Sequence, residues 1–143
     1  NTGKIVLLDF GATRKIPPEI SMGYLALINS GVKNDESGLV NAARGIGFFQ
    51  DDIDKTYLNQ VLGLFRLACE PLINDETYDF ATSGLAQRIK EKGMLINTQQ
   101  DQWHTPPIDA VFIHRKLAGL YLLAAKLKAN INIHRIFDKY VTE

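Results

Sequence analysis

The sequence lacks the features that mark disulfide-rich, membrane-spanning or nucleic-acid-binding proteins. It has a single cysteine, Cys69, so no disulfide can form within the chain, and a lone thiol is typical of a buried side chain in a reducing compartment. Its 16 basic and 16 acidic side chains balance, without the basic excess of a nucleic-acid-binding protein. The longest uncharged apolar stretch, Leu117 to Ala125, is far shorter than the roughly 20 residues of a membrane-spanning helix. We therefore expect a cytoplasmic domain that binds no nucleic acid.

The first structural element that the sequence predicts is one short strand. The run Ile5–Leu8 is apolar and rich in β-branched residues, and it ends at Asp9, which is typical of a buried strand. A strand needs a partner for its backbone hydrogen bonds, and no second strong strand follows in the sequence. We expect the partner to lie upstream of Asn1 or in another copy of the chain.

The sequence after Pro18 predicts about six helices, so the fold class is mainly α with a short N-terminal β-strand. Pro17 and Pro18 open the first helix, and Gly31 is a plausible end for it. Asp54 is placed to cap the third helix, whose apolar residues recur every three or four positions. A shorter helix is predicted from about residue 83 to residue 92, with Gly93 as its stop.

The longest helix is predicted from Pro106 and Pro107 to about Ala129. It is apolar almost all round in its middle, so we expect it at the centre of the fold. Asn132 is placed to cap a final helix.

Asp9, Phe10 and Gly11 form the sharpest candidate for a functional site. In protein kinases the aspartate of this tripeptide holds Mg²⁺ against the ATP phosphates, and Mg²⁺ prefers oxygen ligands such as carboxylates. The glycine allows a sharp turn, and the phenylalanine packs inward and sets the state of the loop. The tripeptide alone also fits a turn at a strand end, in which Gly11 only reverses the chain direction.

Several longer segments resemble one family. They are Gly3–Arg14, Gly45–Phe48, Pro106 with Pro107, Ile113–Gly119 and Lys126–Ala129. Together they resemble the UbiB/ADCK family, also called the aarF-domain kinases, which are atypical protein-kinase-like proteins tied to ubiquinone biosynthesis. The resemblance implies the C-terminal lobe of a protein-kinase-like fold. It also implies that Asp9 is a metal ligand, that Phe10 and Gly11 belong to the cofactor-binding loop, and that the full-length protein uses Mg²⁺ and ATP.

The resemblance also implies what the chain lacks. The family's Ala-rich nucleotide loop, its Lys-x-Gly-Gln motif, its phosphate-binding lysine and its catalytic loop all precede the Asp-Phe-Gly tripeptide. The first residue is Asn1 and not methionine, so we expect residues 1–143 to be a single domain cut from a longer protein. Its first partner would then be the missing N-terminal lobe. We expect no catalytic residue within the chain and no activity from the chain alone, and the sequence leaves open whether the longer protein is a protein kinase, a small-molecule kinase or an ATPase.

The other polar residues are better explained by structural roles. His104, His114 and His134 lack metal-ligand spacing, and His114 is expected to face the protein interior. Arg115 and Lys116 could bind phosphate, but an ion pair at the start of a helix is the preferred interpretation. The acidic residues from Asp51 to Asp54 are explained by helix capping.

Two other functions are compatible with the sequence. The chain could be a helical protein-interaction module with no nucleotide role, in which an exposed apolar surface favours self-association. It could also contact a membrane or quinone-synthesis proteins peripherally, although no strongly basic amphipathic face supports that interpretation.

Overall fold

The computed structural model describes residues 13–49, 52–97 and 106–141. The predicted strand Ile5–Leu8 and the tripeptide at residues 9–11 lie outside these ranges. Within them the helices are α1 (Pro18–Val32), α2 (Glu36–Ile46), α3 (Lys55–Ala68), α4 (Glu70–Ile73), α5 (Leu85–Asn97), α6 (Ile108–Lys126) and α7 (Ile133–Val141). The mainly helical prediction is therefore confirmed.

Local sequence signals set most helix ends. Pro18 occupies the first position of α1, where its missing N–H is not needed. Asp54 caps α3 by accepting hydrogen bonds from the backbone of Thr56 and Tyr57 at 2.8 and 3.0 Å, and Asn132 accepts one from the Arg135 N–H at the start of α7. The predicted capping roles of both residues are confirmed. Gly47 ends α2 at φ 94°, a conformation that favours glycine.

The prediction that Gly93 stops its helix is wrong, because α5 continues through it to Asn97. A helix-interior glycine costs about 1 kcal/mol relative to alanine. The buried side chain of Ile96, only 7% exposed, anchors the last turn in the core and offsets that cost.

A small antiparallel sheet was not predicted. It pairs β1 (Tyr78–Asp79) with β2 (Asn130–Ile131), in the register Tyr78 with Ile131 and Asp79 with Asn130. Two-residue strands are too short to give a period-two pattern, which explains why the sequence did not reveal them. The sheet ties the segment before α5 to the segment between α6 and α7.

The core lies among the first three helices. α1 packs against α2, and α3 packs against both α1 and α5. The core cluster is made of Tyr24, Leu27, Leu39, Ala43, Ile46, Phe48, Phe49, Tyr57, Val61, Leu62, Phe65, Ile96 and Ala110. Only the last of these residues comes from α6.

The expected central position of α6 is therefore wrong. Ala110 is its one fully buried residue, whereas Leu120, Leu122 and Leu123 are 48%, 60% and 50% exposed. A helix that is apolar all round needs cover on every side, and the described residues cover only one face of α6. No helix among the described residues is long and apolar enough to cross a membrane.

Candidate functional site

The predicted metal ligand Asp9 and its neighbours Phe10 and Gly11 lie outside the described residues. The described chain resumes close to them, and Arg14 is three positions after Gly11. Arg14 is held at the start of α6, where its Nε donates a hydrogen bond to the Asp109 carboxylate. Its guanidinium carbon also lies 5.1 Å from the centre of the Phe112 ring, within the range of a cation–π contact.

The surroundings of the ion pair between Arg14 and Asp109 stabilise its positive and its negative charge. The hydrogen bond that Arg14 donates to Asp109 raises the pKa of the Arg14 guanidinium above its ordinary value. Asp109 lies in the first turn of α6, where the helix dipole stabilises a negative charge. The chain that leaves the Asp-Phe-Gly tripeptide is thus attached to α6 by an ion pair and by an aromatic contact.

On the inner face of α6, His114 joins the helix to the core. The Tyr24 hydroxyl lies 2.8 Å from His114 Nε2 and 3.4 Å from the carbonyl oxygen of Ala110. The imidazole also stacks on Phe48, with ring centres 5.4 Å apart and planes 12° apart. The prediction that His114 faces the interior is confirmed.

Burial controls the ionisation of this pair. It lowers the pKa of His114 below the ordinary imidazole value, because the charged ring would lose its hydration. Burial also raises the pKa of the Tyr24 hydroxyl. At neutral pH the phenol and a neutral imidazole therefore share a hydrogen bond, and this bond joins α1 to α6.

The described residues contain no group of three metal-ligating side chains. His114 lies in the aromatic cluster, whereas His134 contacts the Leu72 carbonyl oxygen at 2.6 Å and Asp138 at 3.3 Å. His104 lies outside the described ranges.

The ion pair preferred for Arg115 and Lys116 is not found. Neither side chain forms a salt bridge with any residue in the described ranges. Both side chains are exposed, and Lys126 is exposed further along the same helix.

The contact of Arg14 with Asp109 is not predicted by the sequence. Arg14 belongs to a segment that resembles the family, and no motif contains Asp109. The available signal was an acidic residue directly after Pro106-Pro107-Ile108, where a first helical turn favours a carboxylate. Nothing local indicated that its partner lies 95 positions earlier.

Comparison with known proteins identifies the family. No family model matches the chain. Among curated proteins, a probable serine/threonine-protein kinase, abkA, of Dictyostelium discoideum is 32% identical over 145 residues, which is 96% of this chain and 25% of that protein. The mitochondrial atypical kinase coq-8 of Caenorhabditis elegans is 30% identical over 96% of this chain and 18% of its own length. The mitochondrial atypical kinase COQ8 of Saccharomyces cerevisiae is 27% identical over 96% of this chain and 28% of its own length.

The chain belongs to the UbiB/ADCK family. The suspected resemblance is thereby confirmed, and the helical fold agrees with a kinase-like C-terminal lobe. The chain spans about a quarter of the length of the curated relatives it matches. The kinase activity in those relatives' names belongs to proteins several times as long as the matched segment.

Proposed function

We propose that the chain is the C-terminal lobe of an atypical kinase or ATPase that binds Mg-ATP and supports ubiquinone biosynthesis. The observation that carries this proposal is the similarity, over 96% of the chain, to proteins named as kinases. The tripeptide Asp9-Phe10-Gly11 has the sequence that protein kinases use to hold Mg²⁺ at the ATP phosphates.

In this proposal Asp9 is the metal ligand, and Phe10 and Gly11 set the conformation of its loop. Mg²⁺ takes about six oxygen ligands, so one carboxylate leaves most positions to phosphate, water and residues outside this chain. When bound, the ion neutralises charge on the phosphate oxygens. The anchor of Arg14 on Asp109 supports the role of the loop, because it fixes the chain where it leaves the tripeptide.

The chain alone is expected to be inactive. Phosphoryl transfer is catalysed by positioning and charge stabilisation from several groups that act together. The family's nucleotide loop, phosphate-binding lysine and catalytic loop have no counterpart in these 143 residues. The proposed partner is therefore the N-terminal lobe of the same kinase-like polypeptide.

The test is calorimetric titration of Mg-ATP into the chain and into the longer polypeptide that we propose contains it. The longer polypeptide should bind, its Asp9→Asn variant should lose binding that depends on Mg²⁺, and the chain alone should not bind. Asn keeps the size of the side chain and removes its charge, and a cooperative melting curve should verify that the variant is folded. Binding that is unchanged by Asp9→Asn would contradict the metal role of Asp9.

The location in the cell remains a separate prediction. The cytoplasm was expected from the lone cysteine, whereas the worm and yeast relatives are named as mitochondrial. A mitochondrial location is the alternative that these names support. Fractionation of cells that express the full-length protein, with a wash at high salt to test peripheral membrane attachment, would separate the two.

A further inference from the structure

The outward face of α6 carries an apolar stripe that the described residues leave largely uncovered. Ile108, Phe112 and Leu123 are 58%, 38% and 50% exposed. With Gly119 they are spaced four, seven and four residues apart, so all four fall within an arc of about 60° on the helix. These four residues are called the α6 stripe below.

Gly119 gives the stripe a gap in its middle. A Cβ built on this residue would meet no described atom within 4 Å, and the residue is not among the glycines with positive φ. No described contact and no special backbone conformation thus requires glycine here, although glycine weakens a helix interior relative to alanine. A missing side chain on an outward face lets a second helix approach closely, whereas a lipid surface gains nothing from such a gap.

The charges beside the stripe are of one sign. Arg115 and Lys116 lie on either side of the stripe, and Lys126 continues it one turn after Leu123; all three are exposed and form no salt bridge with any described residue. The one acidic residue of α6, Asp109, is already paired with Arg14. Two copies of this face would bring like charges together, whereas a partner with acidic flanks would complement them.

We propose that the α6 stripe is the docking surface for an amphipathic helix that carries acidic side chains beside its own apolar stripe. The helix belongs to the part of the kinase-like polypeptide outside residues 1–143, and this choice of source rests on the function proposed above. The matched segment is only 18–28% of the relatives' length, so such proteins have ample further chain to supply a helix.

The test uses the 143-residue chain and two synthetic helices about as long as α6, which has 19 residues. Both peptides carry a leucine stripe; one has glutamate on its flanks and the other has lysine. The chain should bind the glutamate peptide in a fluorescence anisotropy titration and should bind the lysine peptide roughly tenfold or more weakly. Reversing two charges, in Arg115→Glu with Lys116→Glu, should reverse this preference.

Matched variants distinguish an effect on peptide binding from an effect on the stability of the chain. Gly119→Ala should raise the melting temperature, because alanine favours a helix, and should weaken binding of the glutamate peptide by filling the gap. Gly93→Ala is the control, since Gly93 is also inside a helix with open space around it. It should raise the melting temperature and leave peptide binding unchanged. Leu123→Glu, at an exposed position, should abolish binding while the chain stays folded.

Every other outcome contradicts the proposal. Binding of neither peptide, or of both equally with no effect of charge reversal, would overturn it. Binding to phosphatidylglycerol vesicles without peptide binding would assign the stripe to a membrane, and a dimer that is lost in Leu123→Glu would assign it to a second copy.

The longer polypeptide, once shown to melt cooperatively, should not bind the peptide because its own helix occupies the stripe. Equal binding would mean that the helix comes from another protein. None of these measurements uses nucleotide, so their failure is distinguishable from failure of the Mg-ATP proposal.

Discussion

The Tyr24 hydroxyl lies 2.8 Å from His114 Nε2, and this hydrogen bond joins α1 to α6 across 90 positions of sequence. The same imidazole stacks on Phe48 and contacts Phe65, so it fills a place in an otherwise apolar aromatic cluster. A charged imidazole there would lose its hydration among apolar neighbours. Burial therefore favours a neutral His114 where α6 meets the core.

The first prediction is that stability falls as the pH is lowered below about 6.5, the ordinary pKa of imidazole. Burial lowers the pKa of His114 in the folded state, so the unfolded chain binds the proton more readily. The free energy of unfolding should be unaffected by this residue above the unfolded pKa. It should decrease as the pH falls from there towards the lower, folded pKa. Urea denaturation at several pH values from 5 to 8 measures the effect.

The control is His114→Phe, which keeps an aromatic ring beside Phe48 and cannot titrate. It should cost about 1 kcal/mol at pH 7 for the lost hydrogen bond with Tyr24. Its stability should change less than that of the parent chain between pH 7 and pH 5. Parallel pH profiles for the two proteins would mean that groups other than His114 cause the dependence.

The second prediction concerns Gly31, where α1 passes close to Cys69. A Cβ added at Gly31 would lie 2.7 Å from Cys69 Sγ, a side chain that is only 3% exposed. Gly31→Ala should therefore destabilise the fold by about 1–3 kcal/mol, the usual range for an overpacked core. Gly45→Ala, one position before the end of α2 with nothing within 4 Å, is the control and should stabilise it by up to about 1 kcal/mol.

The cause can be checked with a double variant. Cys69→Ala removes the sulfur atom that Gly31→Ala would meet, so the two changes together should cost less than the sum of their separate effects. Additive losses would show that the close approach of α1 to Cys69 is not the source of the destabilisation.

Helix ends were largely predictable because their signals are local. Pro18, Asp54 and Asn132 each act within a few residues of their own position, so the sequence alone indicates where α1, α3 and α7 begin. Gly93 was misleading because a distant contact, the burial of Ile96, outweighs the local weakness of a glycine. The two-residue strands were missed because they have no periodic pattern to detect.

The position of α6 could not be predicted from its own residues. An apolar surface indicates that cover is needed, but it does not say whether the cover lies within the same 143 residues. The candidate site likewise has one part that the sequence predicts and one part that it does not. The tripeptide at residues 9–11 is a motif that the sequence displays, whereas the pairing of Arg14 with Asp109 depends on how separated segments fold together.

The third prediction is that Cys69 is unreactive in the folded chain. Burial raises the pKa of its thiol to about 11, and the thiolate is the form that attacks a disulfide reagent. At pH 8 the reaction with a chromogenic disulfide should be about a hundredfold slower in the native protein than in guanidinium chloride. The chain has one cysteine, so the signal has a single source. Rapid native labelling would indicate that the turn between α3 and α4 opens readily.

The last prediction links the anchor of Arg14 to the proposed Mg-ATP site. Asp109→Arg should weaken Mg-ATP binding by the longer polypeptide, because the segment that follows the Asp-Phe-Gly tripeptide loses its attachment to α6. The charge-swapped double variant, Arg14→Asp with Asp109→Arg, should restore much of the affinity by making an ion pair of the opposite orientation. The Arg14 side chain is 41% exposed and that of Asp109 is 16% exposed, so the pair is still partly in solvent and the melting temperature should fall only modestly in either variant.

This pattern separates positioning from general stability. A structural role would lower the melting temperature and the affinity together, whereas a positioning role changes the affinity while the melting temperature is kept. Arg66→Glu is the matched control, because it breaks a comparable ion pair with Glu36 in another part of the fold. It should leave Mg-ATP affinity unchanged. If Asp109→Arg binds Mg-ATP as tightly as the unmodified polypeptide, the anchor does not position the loop, and the metal role of Asp9 would have to stand on the tripeptide alone.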